Sequence, residues 1–331
     1  MTEAALQTRR EKFRDPDWTA AGERRAQVPL DALQTLWINT GSLCNIECRN
    51  CYIESSPEND RLAYISRAEV SAFLDEIERE ALPTREIGFT GGEPFMNPAF
   101  LAMLGDALAR GHSALVLTNA MQPMQRPRIK SGLIGLREAH GARLVVRVSL
   151  DHYGKALHEK ERGPDTYDKT VEGIDWLAQN GLTLALAGRT YSGESERSLR
   201  DGYGRLARER CWPIDVNHPA ELVLFPEMDL RVDVPEITTA CWNILHKSPS
   251  DVMCSSSRMV VKRKGAASPT VLPCTLLPYD PAFEMGATLA EAARADGGMF
   301  DSGAVKLCHP HCAKFCVLGG GSCSSSEPNT A

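Results

Sequence analysis

The sequence predicts an α/β protein: a partial (β/α)6 TIM-like barrel followed by a small C-terminal β-hairpin extension. Three observations carry this. From about residue 33 to residue 217, short apolar runs alternate with segments of helical periodicity, the pattern of parallel β–α units. Chemistry-bearing residues follow directly after the first two runs, and β/α barrels place functional groups at the C-terminal ends of their strands. From about residue 249 the rhythm gives way to short segments broken by Gly, Pro and Ser. Five or six units are too few to close an eight-stranded barrel.

The elements follow in order. Residues 36–40 read as the first strand. Ser66-x-x-Glu69 is a capping box, and Val70, Phe73, Leu74 and Ile77 then fall at helical spacing. Residues 87–90 form the second strand, with a helix over 100–108. Residues 114–118 form the third, with a helix carrying Ile129, Leu133 and Leu136. Residues 144–150 are a β-branched fourth strand. The helix over 170–179 is closed by Asn180-Gly181. Residues 182–187 form the fifth strand, followed by a helix over 198–208. The sixth strand lies either at 214–217 or at 222–225. Residues 258–263 and 270–272 read as a hairpin joined through Gly265. The implied organisation is a lead-in over 1–30, partly helical and loosely held, a barrel over 31–248, an extension over 249–323, and a disordered tail over 324–331.

Composition bounds the function. The chain has 331 residues, 43% of them apolar and 24% charged, enough for a full core. A net charge of -6 gives no support to a nucleic-acid surface. No apolar run approaches the roughly 18 residues of a membrane span, and residues 1–17 lack the apolar core of a secretory signal. Eleven cysteines, an odd number in metal-like spacings, argue for a reducing, cytoplasmic compartment and against a disulfide framework. Cys211 and Cys241 stand apart from the clusters and read as buried apolar packing.

Cys44, Cys48 and Cys51 form C-x3-C-x2-C after the first strand, with Tyr52 behind the third. Three thiolates in one loop can hold three irons of a 4Fe–4S cluster and leave the fourth iron open to a small molecule. A zinc knuckle would need a fourth ligand, and none lies nearby. Thr90-Gly91-Gly92-Glu93-Pro94 follows the second strand. Glycines admit close backbone approach, and a carboxylate suits an ammonium donor. The two motifs, in this order, resemble those of the radical S-adenosylmethionine (SAM) superfamily. The resemblance implies that SAM chelates the open iron, that Gly91, Gly92 and Glu93 receive its amino group, and that Tyr52 packs near its adenine.

Further stretches extend the resemblance. Ser149-Leu150-Asp151, then His158-Glu159-Lys160-Glu161-Arg162-Gly163, is similar to a pattern in radical SAM enzymes that carry a SPASM or twitch extension. It implies that Ser149 and Arg162 approach the SAM carboxylate, which a guanidinium grips through two parallel hydrogen bonds. The chain departs from those relatives at His152, where they carry glycine. Asn119, after the third strand, either contacts SAM or forms a turn; Arg189, after the fifth, is a weaker candidate. Glu227 and Asp229 follow residues 222–225 and face the pocket if that run is the sixth strand; otherwise they form a charged turn. Cys254 and Cys274 flank the hairpin, and Cys308, Cys312, Cys316 and Cys323 follow. This resembles a twitch/SPASM-like auxiliary-cluster module with altered closing spacing. The expected ligands are Cys254, Cys274, Cys312 and Cys316, with Cys323 and then Cys308 as substitutes. A zinc ribbon is the other reading of the same thiols.

The implied function is reductive cleavage of SAM to a 5′-deoxyadenosyl radical that abstracts a substrate hydrogen. An auxiliary 4Fe–4S cluster would assist oxidation or modification. The substrate is a small metabolite or a peptide, and a short lead-in tilts towards a small molecule or a peptide delivered by a partner. A reductant such as flavodoxin or ferredoxin is expected, with a monomeric chain. The alternative is an iron–sulfur or zinc binding module without SAM chemistry.

Overall fold

A computed structural model describes residues 11–227 and 232–319. The chain enters through a two-residue strand, β1 (Gln27–Val28), and then lays down six strands in parallel. These are β2 (Thr35–Asn39), β3 (Glu86–Thr90), β4 (Ser113–Thr118), β5 (Leu144–Ser149), β6 (Thr183–Arg189) and β7 (Leu222–Phe225). Each pairs in parallel with the next. The helices between them are α1 (Arg67–Arg79), α2 (Phe100–Ala109), α3 (Gln122–Gln125), α4 (Pro127–His140), α5 (Lys155–Arg162), α6 (Tyr167–Gln179) and α7 (Glu196–Arg210). Among the described residues the sheet does not close on itself, so the architecture is an open partial β/α barrel.

Local sequence explains most of these elements. Ser66 Oγ accepts from the Glu69 amide at 3.2 Å, and the Glu69 carboxylate accepts from the Ser66 amide at 2.9 Å. That reciprocal box starts α1 and turns Val70, Phe73, Leu74 and Ile77 into the core. After α6, Gly181 takes a φ of +67°, which lets the chain reverse into β6. Every residue of β2 and β3 is buried, as expected of strands covered on both faces.

Residues 222–225 are the sixth strand. Residues 214–217 instead run into a turn in which the His218 amide donates to the Asp215 carbonyl at 3.1 Å. Residues 155–162, which carry the His158–Arg162 motif, form a helix of their own.

The extension is stitched into the barrel sheet. After the short helix α8 (Cys241–Ile244), β8 (Ser257–Val261) pairs in parallel with β2, and β9 (Thr270–Leu272) pairs antiparallel with β8. The sheet therefore has eight strands in the order β7-β6-β5-β4-β3-β2-β8-β9. A short helix, α9 (Leu289–Ala292), leads to β10 (Phe300–Asp301) and β11 (Ala304–Lys306). The described segment ends in a seven-residue π-helix, Cys312–Leu318. Residues 324–331, expected to be disordered, lie outside the described residues.

The described part of the lead-in departs from expectation. Residues 11–30 contain no helix, and they are firmly held. β1 pairs with β11. Arg25 is buried and donates to Glu236 at 2.6 Å, to the Leu307 carbonyl at 3.2 Å and to the Asp15 carbonyl at 2.9 Å. Glu236 also accepts from the Phe13 and Ala20 amides at 2.7 and 2.6 Å. The long-range partners supply what local helix propensity does not. No helix among the described residues is long and apolar enough to cross a membrane.

Removing one partner of a buried ion pair leaves an uncompensated charge. Arg25→Ala is expected to destabilise the cluster-free chain by about 3 kcal/mol in urea unfolding. Arg24→Ala, which breaks an exposed 3.8 Å contact to Asp17, should cost no more than about 0.5 kcal/mol. Equal losses from the two changes would contradict the buried Arg25–Glu236 pair as the anchor.

Candidate active site

One cavity opens at the C-terminal ends of the parallel strands. It is lined by Cys44, Cys48 and Cys51, by Tyr52, by Gly91 and Gly92, and by Asn119, Ser149 and Arg162. These sequence-predicted residues come from five separate segments, and the sheet brings them to one rim. The cysteine loop leaves β2, the glycines leave β3, Asn119 leaves β4, Ser149 ends β5 and Arg162 ends α5.

The cysteine and glycine loops are bonded to each other. The Gly92 amide donates to the Gly41 carbonyl at 2.8 Å, and the Glu93 amide donates to the Leu43 carbonyl at 3.1 Å. A Cβ on Gly92 would sit 2.1 Å from the Leu43 oxygen. One on Gly91, whose φ is +141°, would sit 2.5 Å from the Gly41 oxygen. Both glycines are thus required by backbone contact with the loop that carries Cys44.

The carboxylate of Glu93 does not line the cavity. It accepts from Thr118 Oγ1 at 2.8 Å and from the Asn119 amide at 2.9 Å, and it is buried. Glu93 thus ties the end of β3 to the end of β4, while Gly91 and Gly92 face the cavity. Burial pushes its carboxyl up to about 7, against the lowering effect of the Asn119, Thr118 and Phe95 hydrogen bonds.

Asn119 is both a turn residue and a cavity residue. Its Oδ1 accepts from the Met121 amide at 3.0 Å, while its Nδ2 donates to Asn45 at 2.9 Å and lies 3.8 Å from Cys44 Sγ. Tyr52 lines the cavity with its hydroxyl 3.4 Å from Thr90 Oγ1.

Arg162 lies in the cavity wall, but its fork is already engaged. Nε and Nη2 meet the two Asp151 oxygens at 2.9 and 3.0 Å. The two parallel bonds expected for a cofactor carboxylate thus go to Asp151. Arg162 ends α5 and is half-buried. Despite burial, Asp151 holds the Arg162 guanidinium above its ordinary range, and Arg162 and Arg189 hold the Asp151 carboxyl low. Arg189 reaches Asp151 at 3.9 Å and donates to the Asn50 carbonyl at 3.0 Å. Glu161 accepts from Asn50 Nδ2 at 3.2 Å, and its carbonyl accepts from the Arg49 amide at 2.8 Å. Arg189 and Glu161 therefore clamp the residues between Cys48 and Cys51. Asp151, Arg147 and Arg189 also line the cavity. Of these, only Asp151 stood in a motif, and its partner was not legible. Glu227 lies 3.6 Å from Arg189, and Asp229 lies outside the described residues.

A second cavity is lined by Cys254, Cys274, Cys312 and Cys316 together with apolar side chains and His311. Cys254 precedes β8 and Cys274 follows β9, so the hairpin's pairing fixes that half. Cys312 and Cys316 lie on the π-helix, whose widened turn brings positions i and i+4 nearly in line. Cys308 does not line this cavity; its thiol contacts the Asp15 carbonyl at 3.4 Å. Cys323 lies outside the described residues. Cys211 is exposed, in a left-handed conformation that ends α7, so the buried-packing expectation does not hold for it. Cys241 accepts from the Thr238 amide at 3.3 Å and lines neither cavity.

The donor chemistry suits iron–sulfur clusters. Among the described residues, no three His, Cys, Asp or Glu side chains converge as around a single ion. A four-iron cluster instead needs thiols spread around a space, and both cavities provide that. Burial pushes Cys44 up to about 12 and Cys48 and Cys254 up to about 11. A bound cationic iron core reverses that cost by ligating the thiolates.

Residues 38–199 match the model of the Radical SAM superfamily. The chain carries a radical SAM domain, and that superfamily uses a 4Fe–4S cluster and SAM. It is similar to the antilisterial bacteriocin subtilosin biosynthesis protein AlbA of Bacillus subtilis (strain 168), at 27% identity over 170 residues. That match covers 51% of this chain and 35% of AlbA, so the chain matches about a third of that relative's length. Streptococcus suis SuiB bound to S-adenosylmethionine shares the fold, with a TM-score of 0.56 at 12% identity over 81% of this chain and 67% of SuiB. So does the polyhistidine-tagged anSMEcpe with bound AdoMet, with a TM-score of 0.57 at 16% identity over 80% of each chain.

Two outcomes are expected. The raised Glu93 carboxyl means that the folded chain holds a proton the unfolded chain has lost between pH 4.5 and about 7. Stability therefore falls as pH rises through that window and levels off above it, by about 3 kcal/mol. In cluster-free protein, unfolding midpoints of wild type and Glu93→Gln should diverge across this window; parallel profiles would refute the assignment. Separately, Cys316→Ala should lower iron and sulfide content by about four per chain, the content of one cluster. Cys308→Ala should leave it unchanged.

Proposed function

We propose that the chain is a radical SAM enzyme that removes a hydrogen atom from a C–H bond of a peptide and carries an auxiliary 4Fe–4S cluster. The observation that carries this reading is the first cavity. It gathers Cys44, Cys48 and Cys51, the Gly91–Gly92 strap and the polar ends of three further strands on one rim. When bound, the cluster and SAM together supply a 5′-deoxyadenosyl radical.

The chain's own residues hold and shield that chemistry. Cys44, Cys48 and Cys51 would ligate the SAM-binding cluster and leave one iron open. Gly91 and Gly92 present backbone without side chains to the cofactor's amino end. Asn119 and Tyr52 flank it, and Ser149 stands at the end of β5. Arg162, Arg189 and Arg147 give that wall a cationic character suited to a carboxylate. The far wall is apolar: Phe225 stacks on Phe315 with ring centroids 5.2 Å apart, and Leu276 borders both cavities. An apolar wall excludes water from a reactive intermediate. Cys254, Cys274, Cys312 and Cys316 would hold the auxiliary cluster behind that wall.

A peptide is favoured over a small metabolite by the relatives. AlbA is described as a bacteriocin biosynthesis protein, and SuiB has been solved bound to the precursor peptide SuiA, with a TM-score of 0.55 to this chain. A flavodoxin- or ferredoxin-type protein is the proposed reductant.

Anaerobically reconstituted protein, given SAM and dithionite, is expected to form 5′-deoxyadenosine, and Cys51→Ala is expected to form none. Peptides encoded beside the gene, deuterated at their C–H positions, should pass deuterium into that product. A wild-type chain that forms no 5′-deoxyadenosine, and whose cluster spectrum is unchanged by SAM, would reduce the protein to a binding module.

A further inference from the structure

Three arginines illustrate how this protein treats buried charge. Arg25 is paired with Glu236, and Arg162 with Asp151. Arg258, on β8, is only 1% exposed, and among the described residues no carboxylate lies within ion-pair distance of it. Its Nη1 donates to the carbonyls of Cys254 and Ser257 at 2.6 and 2.8 Å, and its Nη2 donates to the Gly303 carbonyl at 3.2 Å. Its Nε is buried without a hydrogen-bond partner. A guanidinium keeps its proton inside proteins, so this site holds a permanent positive charge. Carbonyl dipoles offset only part of the cost of burying it.

The missing negative charge has an evident source. Arg258 bonds the backbone of Cys254, and Cys254 and Cys274 are the ionisable side chains that act on it. Both line the second cavity with Cys312 and Cys316. Four thiolates around a 4Fe–4S core give a net anion, and one-electron reduction makes it more negative. Net charge and local hydrogen bonding set the potential of such a cluster.

We propose that Arg258 is the built-in counter-charge of the auxiliary cluster, a positioning residue that favours its reduced state. This rests on the auxiliary-cluster reading above. Without Arg258 the electron added on reduction enters a site that has lost this buried positive charge. The cluster then becomes harder to reduce and a poorer acceptor for an electron released by a substrate radical. The SAM-binding cluster, in the other cavity, is unaffected.

The test is a redox titration of the reconstituted full chain, followed by electron paramagnetic resonance. The signal that does not respond to added SAM reports the auxiliary cluster. Arg258→Met should shift its midpoint to more negative potential, Arg258→Lys should keep it near wild type, and the SAM-responsive signal should not move in either. An unshifted midpoint in fully loaded Arg258→Met overturns the proposal, as does an equal shift in Arg258→Lys. If Arg258→Met fails to load the second cluster, wild-type loading and potential in Arg258→Lys support the proposal, and failure of both variants overturns it. A wild-type chain without any second cluster overturns the underlying reading, and the proposal with it.

Discussion

The hydrogen bonds between the cysteine loop and the glycine strap are the contact on which the site depends. Two amides, from Gly92 and Glu93, reach two carbonyls of the preceding strand's loop, those of Gly41 and Leu43. The approach is so close that neither glycine can carry a side chain. Glu93 then turns away and fastens β4 through Thr118 and Asn119. Three consecutive strand ends are thereby locked before any cofactor arrives. A cluster ligand set on an otherwise irregular loop needs such support, because a loop alone does not hold three thiols in fixed relation.

A second set of constraints works from the opposite wall. Asp151 is the hub: Arg162 grips it through both oxygens, and Arg189 approaches it from β6. Arg189 and Glu161 also hold Asn50, between the second and third cysteines. Asp151 thus offsets part of the positive charge of the barrel mouth. The same arginines that give the wall its cationic character also shape the cysteine loop.

The extension is bound to the barrel by main-chain pairing. Because β8 continues the sheet beside β2, Cys254 lies at the start of a strand whose neighbour leads directly into the cysteine loop. Leu276 borders both cavities, and Phe315, one residue before Cys316, closes the first against Phe225. The two thiol sites are therefore separated by a thin apolar wall and share its packing. The buried Arg25–Glu236 pair extends this coupling to the lead-in, since Arg25 also holds the Leu307 carbonyl next to Cys308.

What the sequence determined by itself is what depends on a few adjacent residues. The capping box at Ser66, the apolar strands, the C-x3-C-x2-C loop and the Gly-Gly pair are local signals, and each element formed where its residues indicated. Local signals also placed Asn119 and Ser149 at strand ends. Tertiary structure decided the rest, because the partners lie far apart in the chain. Which carboxylate occupies the fork of Arg162, and where the Glu93 side chain turns, depends on neighbouring strands. Residues 11–30 run as turns, bridges and the short strand β1 because Glu236 and β11, more than two hundred residues away, hold the Phe13 and Ala20 amides, the Arg25 guanidinium and β1 itself. Sequence spacing cannot say which thiols share a cavity; the π-helix and the β8–β9 hairpin bring four together and leave Cys308 outside. Arg258 looked like an ordinary strand residue until packing removed water and, among the described residues, every carboxylate from its reach.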